Sequence, residues 1–307
     1  MINDFKISIL IPTLNAGKEW PKILAGINEQ TYKFENKIIV DSGSTDKTVL
    51  LAEQFGFEIV KINKNEFNHG KTRQQLVDIA KGVDICVFLT QDAILASPNS
   101  IVNIVQVFAD AKIGMAYGRQ LPHKNAQPLE THGRLFNYPP TSEILSQADK
   151  ERLGFKTFFC SNSFSAYHKS ALDAVGGFPS DSIMGEDAIV AAKMLQKGYK
   201  KAYVAEATVF HSHNYTIKEE FKRYFDTRVF HEQNRWLIES YGKPTGEGLK
   251  FVRSEIKYSL QNHPLSVFKS VSSIFAKWLG YNLAKYYKMF PVSLLKKLSM
   301  HSYYWNK

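Results

Sequence analysis

A short buried strand, followed by an acidic turn and a helix, constrains the fold of this chain most. Ile38–Val40 are consecutive apolar residues, the pattern of a strand buried on both faces of a parallel sheet. Asp41 ends that strand, and turn-forming residues lead through Asp46 to a helix that we expect to end near Gly56. Ligands of open α/β sheets bind outside the carboxyl ends of the strands, so both carboxylates are candidate site residues. Ordinary turn and cap chemistry explains either one equally well.

Length and composition are those of a folded globular protein with one large α/β domain and an appendage. The chain has 307 residues, of which 44% are hydrophobic and 22% are charged. Cys86 and Cys160 are too few for a disulfide framework and lack metal-ligand spacing, so we expect buried thiols. The sequence has no run of about 18 apolar residues, so we expect no membrane-spanning segment. The N-terminus lacks the pattern of an export signal. We therefore expect a cytoplasmic protein.

The net charge of +10 is concentrated near the C-terminus. From Ser240 to Lys307 the chain has eleven lysine or arginine residues and two acids, Glu247 and Glu255, so nine of the ten net positive charges lie there. A Gly/Pro-rich stretch at 242–248 predicts a linker. We therefore predict a nearly neutral domain at residues 1–240 and a basic helical region at residues 241–307.

Further polar residues fall at predicted strand ends and helix starts. They are Asp92 after the strand 84–89, Glu186 and Asp187 at the start of a helix, and His211 and His213 after the strand 208–210. The helix dipole favours acids in a first turn, which is the simpler explanation for the Glu-Asp pair. The irregular stretch 119–157 is long for a loop, and we expect it to be a binding loop or lid.

The stretch around Gly70-Lys71-Thr72 matches only the end of a phosphate-binding P-loop. That motif requires a glycine five residues before the Gly-Lys pair, and Asn65 stands there, so we reject a P-loop. The helix predicted from 72 to 80 then places Arg73 in its first turn, where the helix dipole disfavours a cation. Arg73 is therefore either solvated or paired with an anionic group. Carboxylates, an imidazole and a guanidinium without a glycine-rich loop suit a diphosphate held through a divalent metal.

Seven short motifs together resemble family 2 glycosyltransferases. IPTLNAG, VDSGSTDKT, EFNHGKTR, FLTQDA, SNSFSAYH, GEDAIVAAKM and FHSHNY occur in that family's order and spacing over about residues 5–235, most similarly to bacterial rhamnosyltransferases of O-antigen and exopolysaccharide assembly. The resemblance implies an α/β protein of the GT-A fold, with a Rossmann-like mixed, mostly parallel sheet flanked by helices and a C-terminal helical appendage. It also implies an inverting enzyme that moves L-rhamnose from dTDP-β-L-rhamnose to a hydroxyl of a lipid-diphosphate-linked oligosaccharide. A transferase for another nucleotide-activated sugar is the alternative.

The resemblance also implies roles for individual residues. Asp187 matches the family's general base. Asp92 is the one aspartate kept at Thr90-Gln91-Asp92, where the family has an Asp-x-Asp motif that binds Mg²⁺ or Mn²⁺. His211 matches a further metal ligand, with His213 as the nearby alternative. The residues implied in donor binding are Thr13, Asn15, Asp41, Arg73, Gln91 and Glu186.

The basic C-terminal region mixes its lysines with aromatic residues such as Phe268, Trp278 and Tyr286. Amphipathic helices of this composition are typical of an anionic membrane surface, so we expect the protein to be peripheral on the inner face of the cytoplasmic membrane. Helices packed on the catalytic domain with solvated lysines are the alternative. A pI near 9.3 allows nucleic-acid binding, but the nearly neutral body argues against it. A non-catalytic nucleotide-sugar-binding module is a third interpretation.

Overall fold

The computed structural model describes residues 5–242 and 246–306, which group into two compact units. The first unit comprises residues 5–121, 138–181 and 186–211, and the second comprises 122–137, 182–185 and the described residues from 212 onward. The centre of the predicted linker, residues 243–245, lies outside the described ranges. The predicted domain boundary between residues 240 and 241 stays a prediction.

Strands belong to the first unit and helices to both. The strands are β1 (Ile7–Thr13), β2 (Asn36–Asp41), β3 (Glu58–Lys61), β4 (Ile85–Leu89), β5 (Ile94–Leu95), β6 (Ile113–Leu121), β7 (Glu143–Leu145), β8 (Phe164–His168) and β9 (Lys200–Phe210). The α-helices are α1 (Trp20–Asn28), α2 (Thr48–Gln54), α3 (His69–Ile79), α4 (Ser100–Val105), α5 (Pro128–Asn137), α6 (Lys150–Leu153), α7 (Lys169–Ala174), α8 (Glu186–Gln196), α9 (Ile217–Gln233), α10 (Arg235–Tyr241), α11 (Glu247–Asn262), α12 (Val267–Leu283) and α13 (Val292–Leu298).

The strands form one mixed sheet. Over the part of the chain that the structure describes, the order is β3-β2-β1-β4-β8-β6-β9-β5, and β7 pairs with β9. Strands β3, β2, β1 and β4 are mutually parallel, β8 runs antiparallel to both β4 and β6, and β9 is parallel to β6. The carboxyl ends of β1, β2, β4, β6 and β9 therefore lie at the same edge of the sheet. This confirms the predicted mixed α/β sheet flanked by helices.

The centre of the sheet is fully buried, as the continuous apolar runs predict. Ile9, Ile39 and Val87, on three neighbouring strands, are all inaccessible to solvent and belong to one hydrophobic cluster. Cys86 and Cys160 are both buried free thiols, as expected. Burial of this kind gives a rigid platform for the polar residues at the strand ends.

The start of α3 differs from the prediction. The helix begins at His69 rather than Thr72, because the Asn68 side chain caps it by accepting from the backbone N–H groups of Gly70 and Lys71, at 3.0 and 3.1 Å. Arg73 therefore lies in the second turn, and the argument from an unfavourable first-turn dipole was wrong. Gly70 serves close packing here, since a Cβ at this residue would lie 1.7 Å from the carbonyl oxygen of Pro179.

Other predicted boundaries were wrong where distant pairing decides the structure. The strand predicted at 208–210 is the end of a longer strand, β9, which begins at Lys200. The stretch 119–157, predicted to be irregular, contains α5, β7 and α6. The two-residue strand β5 was not predicted at all. Its pairing partner, β9, lies more than 100 residues away along the chain.

The second unit is helical. Helix α9 ends at Gln233, with Asn234 as its C-cap, and α10 follows at Arg235. Phe225 and Val229 of α9 are buried, and α12 packs against α9. Within residues 5–242 and 246–306, none of the helices has the length and hydropathy of a membrane span.

Candidate active site

Polar side chains of the first unit gather at the edge of the sheet where the carboxyl ends meet. Asp41 ends β2, Asp92 follows β4, and His211 follows β9. Strand β8 runs the opposite way, so Asn162, just before its start, belongs to the same edge. The chain places there the groups that were predicted to form a site, together with an asparagine that was not predicted.

Strand β5 brings Asp92 and His211 together. Ile94 of β5 pairs with Phe210 of β9, which places the residues flanking that pair side by side. The carboxylate oxygen Oδ1 of Asp92 lies 3.4 Å from Nε2 of His211. The imidazole is buried, whereas the carboxylate is partly exposed, so the pair faces outward from the sheet edge.

The His211 ring is held in one orientation from behind. Its Nδ1 lies 2.9 Å from Oε1 of Gln120, and the Gln120 amide nitrogen donates to Oγ of Ser161 at 2.8 Å. In the tautomer with the proton on Nδ1, this nitrogen donates to the Gln120 oxygen, and Nε2, on the side of Asp92, carries the lone pair. A histidine oriented in this way is prepared to be a metal ligand.

The Asp92–His211 pair fits a divalent cation. Adjacent ligands of an octahedral ion with bonds of about 2.1 Å lie about 3.0 Å apart, close to the observed separation of 3.4 Å. His213, the alternative ligand, belongs to the second unit, where its ring packs on Tyr215 with centroids 5.2 Å apart. The retained aspartate and the nearer histidine are therefore suitable ligands within the first unit.

A buried ion pair joins α3 to α8. Nη1 of Arg73 lies 2.9 Å from Oε1 of Glu186, and both side chains are almost completely buried. Arg73 also donates to the carbonyl oxygen of His69, at 3.1 Å. Burial alone would raise the pKa of Glu186, but the adjacent guanidinium keeps it below its ordinary value. Glu186 is therefore a fixed negative charge rather than a simple cap of the helix dipole.

Asn162 links both acids of the Glu-Asp pair to the sheet. Its amide nitrogen donates to Glu186 at 3.0 Å, and its backbone N–H donates to Asp187 at 3.1 Å. Its own carbonyl oxygen accepts from the hydroxyls of Ser165 and Tyr167, at 2.8 and 2.7 Å. With both sides of the amide engaged, Asn162 fixes where the two carboxylates stand.

Asp187 has the most strongly perturbed carboxyl group of the site. Burial, and then the neighbouring charge of Glu186, raise its pKa from 3.8 to about 7. The residue as a whole is nevertheless partly accessible to solvent. A carboxylate that is reachable and titrates near neutral pH can accept a proton from a bound hydroxyl.

The residues predicted to hold the nucleoside line the turns after β1 and β2. Both carboxylate oxygens of Asp41 accept from the Ser44 backbone N–H, at 2.9 and 3.1 Å. Asn15 adopts a left-handed backbone conformation, with φ of 48°, and its side-chain oxygen accepts from the Thr45 N–H at 2.8 Å. Asp46 accepts from the Thr48 backbone N–H at 3.0 Å, so this exposed residue organises the turn, as its cap interpretation predicts.

Gln91 connects the loops after β1 and β4. Its amide both accepts from the Leu14 N–H, at 2.7 Å, and donates to the Leu14 carbonyl, at 3.0 Å. The contacts that the structure gives Gln91, Arg73 and Glu186 are thus within the protein, and their predicted roles in donor binding stay predictions. Within the described residues, three buried groups near these loops have no hydrogen-bond partner: Thr13 Oγ1, Thr90 Oγ1 and Arg73 Nε. Buried polar groups of this kind need a partner such as an ordered water, an ion or a polar ligand.

Sequence reasoning missed Asn162, Gln120 and His69. Asn162 lies inside the SNSFSAYH motif, whose pattern does not show that the strand starts only at Phe164. Gln120 lies on β6, within the stretch 119–157 that the sequence predicts to be a binding loop or lid. Burial lowers the pKa of His69 to about 4, so this ring is neutral beside the Arg73–Glu186 pair at pH 7. For Asn162 and Gln120, the one signal in the sequence was a polar residue close to a strand terminus.

Comparisons with known proteins identify the family. Residues 8–176, more than half of the chain, match the model of glycosyl transferase family 2. The chain belongs to this family.

Two curated relatives cover nearly the whole chain. One is the O-antigen chain rhamnosyltransferase RfbN of Salmonella typhimurium, 48% identical over 98% of this chain and 96% of the relative. The other is the O-antigen chain rhamnosyltransferase WbaN of Salmonella anatum, 45% identical over 97% and 95%.

Solved structures share the fold at low identity. The mannosyltransferase PcManGT of Pyrobaculum calidifontis, solved with GDP-Man and Mn²⁺, aligns with a TM-score of 0.66 at 14% identity over 93% of this chain and 88% of that one. TarS of S. aureus, solved with UDP-GlcNAc, aligns with a TM-score of 0.54 at 13% identity over 92% of each chain. The sheet and its flanking helices are thus those of the GT-A glycosyltransferases, as predicted.

The raised pKa of Asp187 predicts how folding stability depends on pH. Between about pH 4 and pH 7 the unfolded chain loses this proton while the folded chain keeps it, so the group's contribution to stability falls as pH rises through this window. Asp187→Asn removes the titration. We expect the melting temperature of the native protein to decline relative to that of the variant between pH 5 and pH 8, as measured by calorimetry.

The exposed residue Asp181 provides the matched control for this measurement. The melting temperatures of Asp181→Asn and the native protein should run parallel over the same pH range. If Asp187→Asn also runs parallel to the native protein, the raised pKa is contradicted.

Proposed function

We propose that this chain transfers a sugar, with inversion, from a nucleotide-activated donor in O-antigen synthesis. The specific donor we propose is dTDP-β-L-rhamnose, and the acceptor is a hydroxyl of a lipid-diphosphate-linked oligosaccharide. Identities of 48% and 45% to two O-antigen chain rhamnosyltransferases over almost the whole chain support this assignment. The observation that carries the chemistry is Asp187, a partly accessible carboxylate whose pKa is raised to about 7.

We propose Asp187 as the general base. The acceptor hydroxyl oxygen bonds to the anomeric carbon from the face opposite the diphosphate, the bond from that carbon to the diphosphate oxygen breaks, and the hydroxyl proton passes to Asp187. The backbone N–H of Asn162, 3.1 Å from Asp187, keeps the carboxylate in place during the transfer. A single displacement needs no protein nucleophile and inverts the anomeric centre, so a β-L-rhamnosyl donor gives an α-linked product.

We propose that the loops after β1 and β2 bind the nucleoside diphosphate. The Asp41 carboxylate oxygens, although each accepts from Ser44, retain acceptor capacity for a pyrimidine N–H. The unpaired Thr13 hydroxyl and the Asn15 side chain would complete this part of the site. Gln91 would act on the donor by fixing the Leu14 loop, and the Arg73–Glu186 pair by fixing α8.

We propose that Asp92 and His211 hold a divalent cation, Mg²⁺ or Mn²⁺, with the donor. Such an ion, when bound, offsets the negative charge that develops on the departing diphosphate. Mg²⁺ is bound mainly through oxygen, so a histidine ligand favours Mn²⁺. Gln120 keeps the His211 lone pair directed toward this position.

We propose that the protein works in the cytoplasm, at the inner face of the cytoplasmic membrane. A lipid-linked acceptor is confined to a bilayer, so an enzyme that docks on the anionic surface meets its acceptor at a high local concentration. The excess of lysine in the C-terminal region supports this docking.

Replacing the base should abolish turnover without abolishing donor binding. We expect Asp187→Asn to lower the rate of rhamnose transfer from dTDP-β-L-rhamnose by about 10²–10⁴-fold, the contribution of a general base. Donor binding is measured in parallel, as protection against thermal unfolding by dTDP-β-L-rhamnose, UDP-GlcNAc and GDP-Man. A near-normal rate would remove Asp187 from the mechanism. Protection by a different nucleotide sugar alone would favour the alternative donor.

The metal site is best tested by a residue that is not itself a ligand. Gln120→Leu frees the His211 ring to change tautomer, so we expect Mn²⁺ affinity to fall about 10–100-fold, as for other outer partners of metal-bound histidines. Asp92→Ala should lower the Mn²⁺ affinity at least as much. Titration of Mn²⁺ by electron paramagnetic resonance measures the affinity of both variants.

An exposed glutamine gives the control for the metal titration. Gln106→Leu makes the same substitution on the surface and should bind Mn²⁺ like the native protein. Full transfer activity in excess EDTA would contradict the requirement for a metal.

A further inference from the structure

Helix α12 in the second unit turns its large apolar residues toward solvent. Phe268, Val271, Phe275, Trp278 and Leu279 are between 40% and 79% exposed. Their spacing of three, four and seven residues places them on one side of the helix. We call this set of five residues the α12 outer face. It is a continuous apolar stripe, with the rings of Phe275 and Trp278 stacked at 6.0 Å.

The opposite side of α12 is lined by small residues and is fixed by close packing. Ser270, Ser273, Ala276 and Gly280 are buried. A Cβ at Gly280 would lie 2.3 Å from the carbonyl oxygen of Phe221 on α9, so the two helices touch through their backbones at this point. Phe or Trp side chains do not fit into such a contact. The helix therefore cannot rotate to bury its outer face within the unit.

The surroundings of the outer face carry positive charge. No Asp or Glu follows Glu255 in the sequence. Lys277, on the packed side of α12, lies 3.5 Å from Glu220 and 3.6 Å from Glu255. Its positive charge offsets the negative charge of these two acids. Three exposed lysines follow the helix: Lys285, Lys288 and Lys297. The partner of an apolar stripe among these lysines should be both apolar and anionic.

We propose that the α12 outer face docks on an anionic lipid surface, with its aromatic side chains in the headgroup layer and the neighbouring lysines on the lipid phosphates. This deepens the proposed function, which supplies the lipid-linked acceptor. A bilayer interface accommodates both groups, since Trp and Phe partition into it and each nearby lysine adds attraction to anionic headgroups. A second copy of the chain would bring like-charged lysines together, and a nucleic acid has no apolar layer for Val271 and Leu279.

The test measures how full-length protein partitions onto vesicles. Phosphatidylglycerol mixed with phosphatidylcholine is compared with phosphatidylcholine alone, at low and high salt. We expect binding to the anionic vesicles alone, weakened by salt. Phe275→Ser combined with Trp278→Ser should lower the partition coefficient roughly tenfold or more, because two large apolar groups no longer leave water. Lys285→Gln and Lys288→Gln should each lower it roughly fivefold at low salt.

The matched control replaces two equally exposed apolar residues of the first unit. Leu50→Ser combined with Ile144→Ser should bind the anionic vesicles like the native protein. Equal binding of the protein to both vesicle types overturns the proposal. So does a Leu50/Ile144 control that loses as much vesicle binding as the α12 double variant. A dimer in sedimentation analysis that the α12 double variant dissociates would show an interface between copies instead.

Donor protection separates this inference from the proposed function. The α12 double variant should be protected against thermal unfolding by dTDP-β-L-rhamnose as well as the native protein is. Loss of vesicle binding with intact donor protection supports the docking face. Normal donor protection with no vesicle binding by the native protein sinks the docking proposal and leaves the glycosyltransferase proposal standing. The reverse pattern, vesicle binding without protection by the proposed donor, contradicts the proposed donor only.

Discussion

The buried ion pair between Arg73 and Glu186 is the interaction on which the site depends. Desolvating two charges costs several kcal/mol per ion, and their attraction offsets this only with good geometry and added hydrogen bonds. The structure provides both, with a 2.9 Å contact and donation from Asn162. The pair keeps Glu186 charged beside Asp187. Burial, and then the charge of Glu186, raise the pKa of Asp187 to about 7, where a carboxylate is an effective base, while the charge of Arg73 acts in the opposite direction.

The same edge of the sheet assembles two different kinds of chemistry. At β8 and α8, hydrogen bonds from Asn162 place a carboxylate that can accept a proton. At β4 and β9, Gln120 orients His211 toward Asp92, and this pair suits a cation. Few residues act directly in this chemistry. Each is positioned by a second residue, Asn162 or Gln120, whose side-chain oxygen and nitrogen are both hydrogen-bonded. This division between acting and positioning groups explains why buried polar contacts are concentrated here.

Local pattern predicted the strands β2 and β4 and the acids at or just beyond their ends, because continuous apolar runs and turn residues are visible in any short window. It did not predict β5, whose two residues are strand only through pairing with β9, and so it gave no reason for Asp92 and His211 to meet. Nor did composition reveal the orientation of α12. The sequence left two orientations open for the aromatic residues, on an anionic membrane surface or packed on the catalytic domain, and the backbone contact at Gly280 turns the large side chains of α12 outward.

The pH dependence of kcat/KM for rhamnose transfer tests the central claim most directly, because it reports the ionisation of the base in the free enzyme. Transfer should require the deprotonated form of Asp187. The account predicts that kcat/KM falls tenfold per pH unit on the acid side, with an apparent pKa of about 7. A profile that stays flat down to the ordinary carboxyl range near 3.8 would contradict it, since burial and the charge of Glu186 would then not raise the pKa of the base.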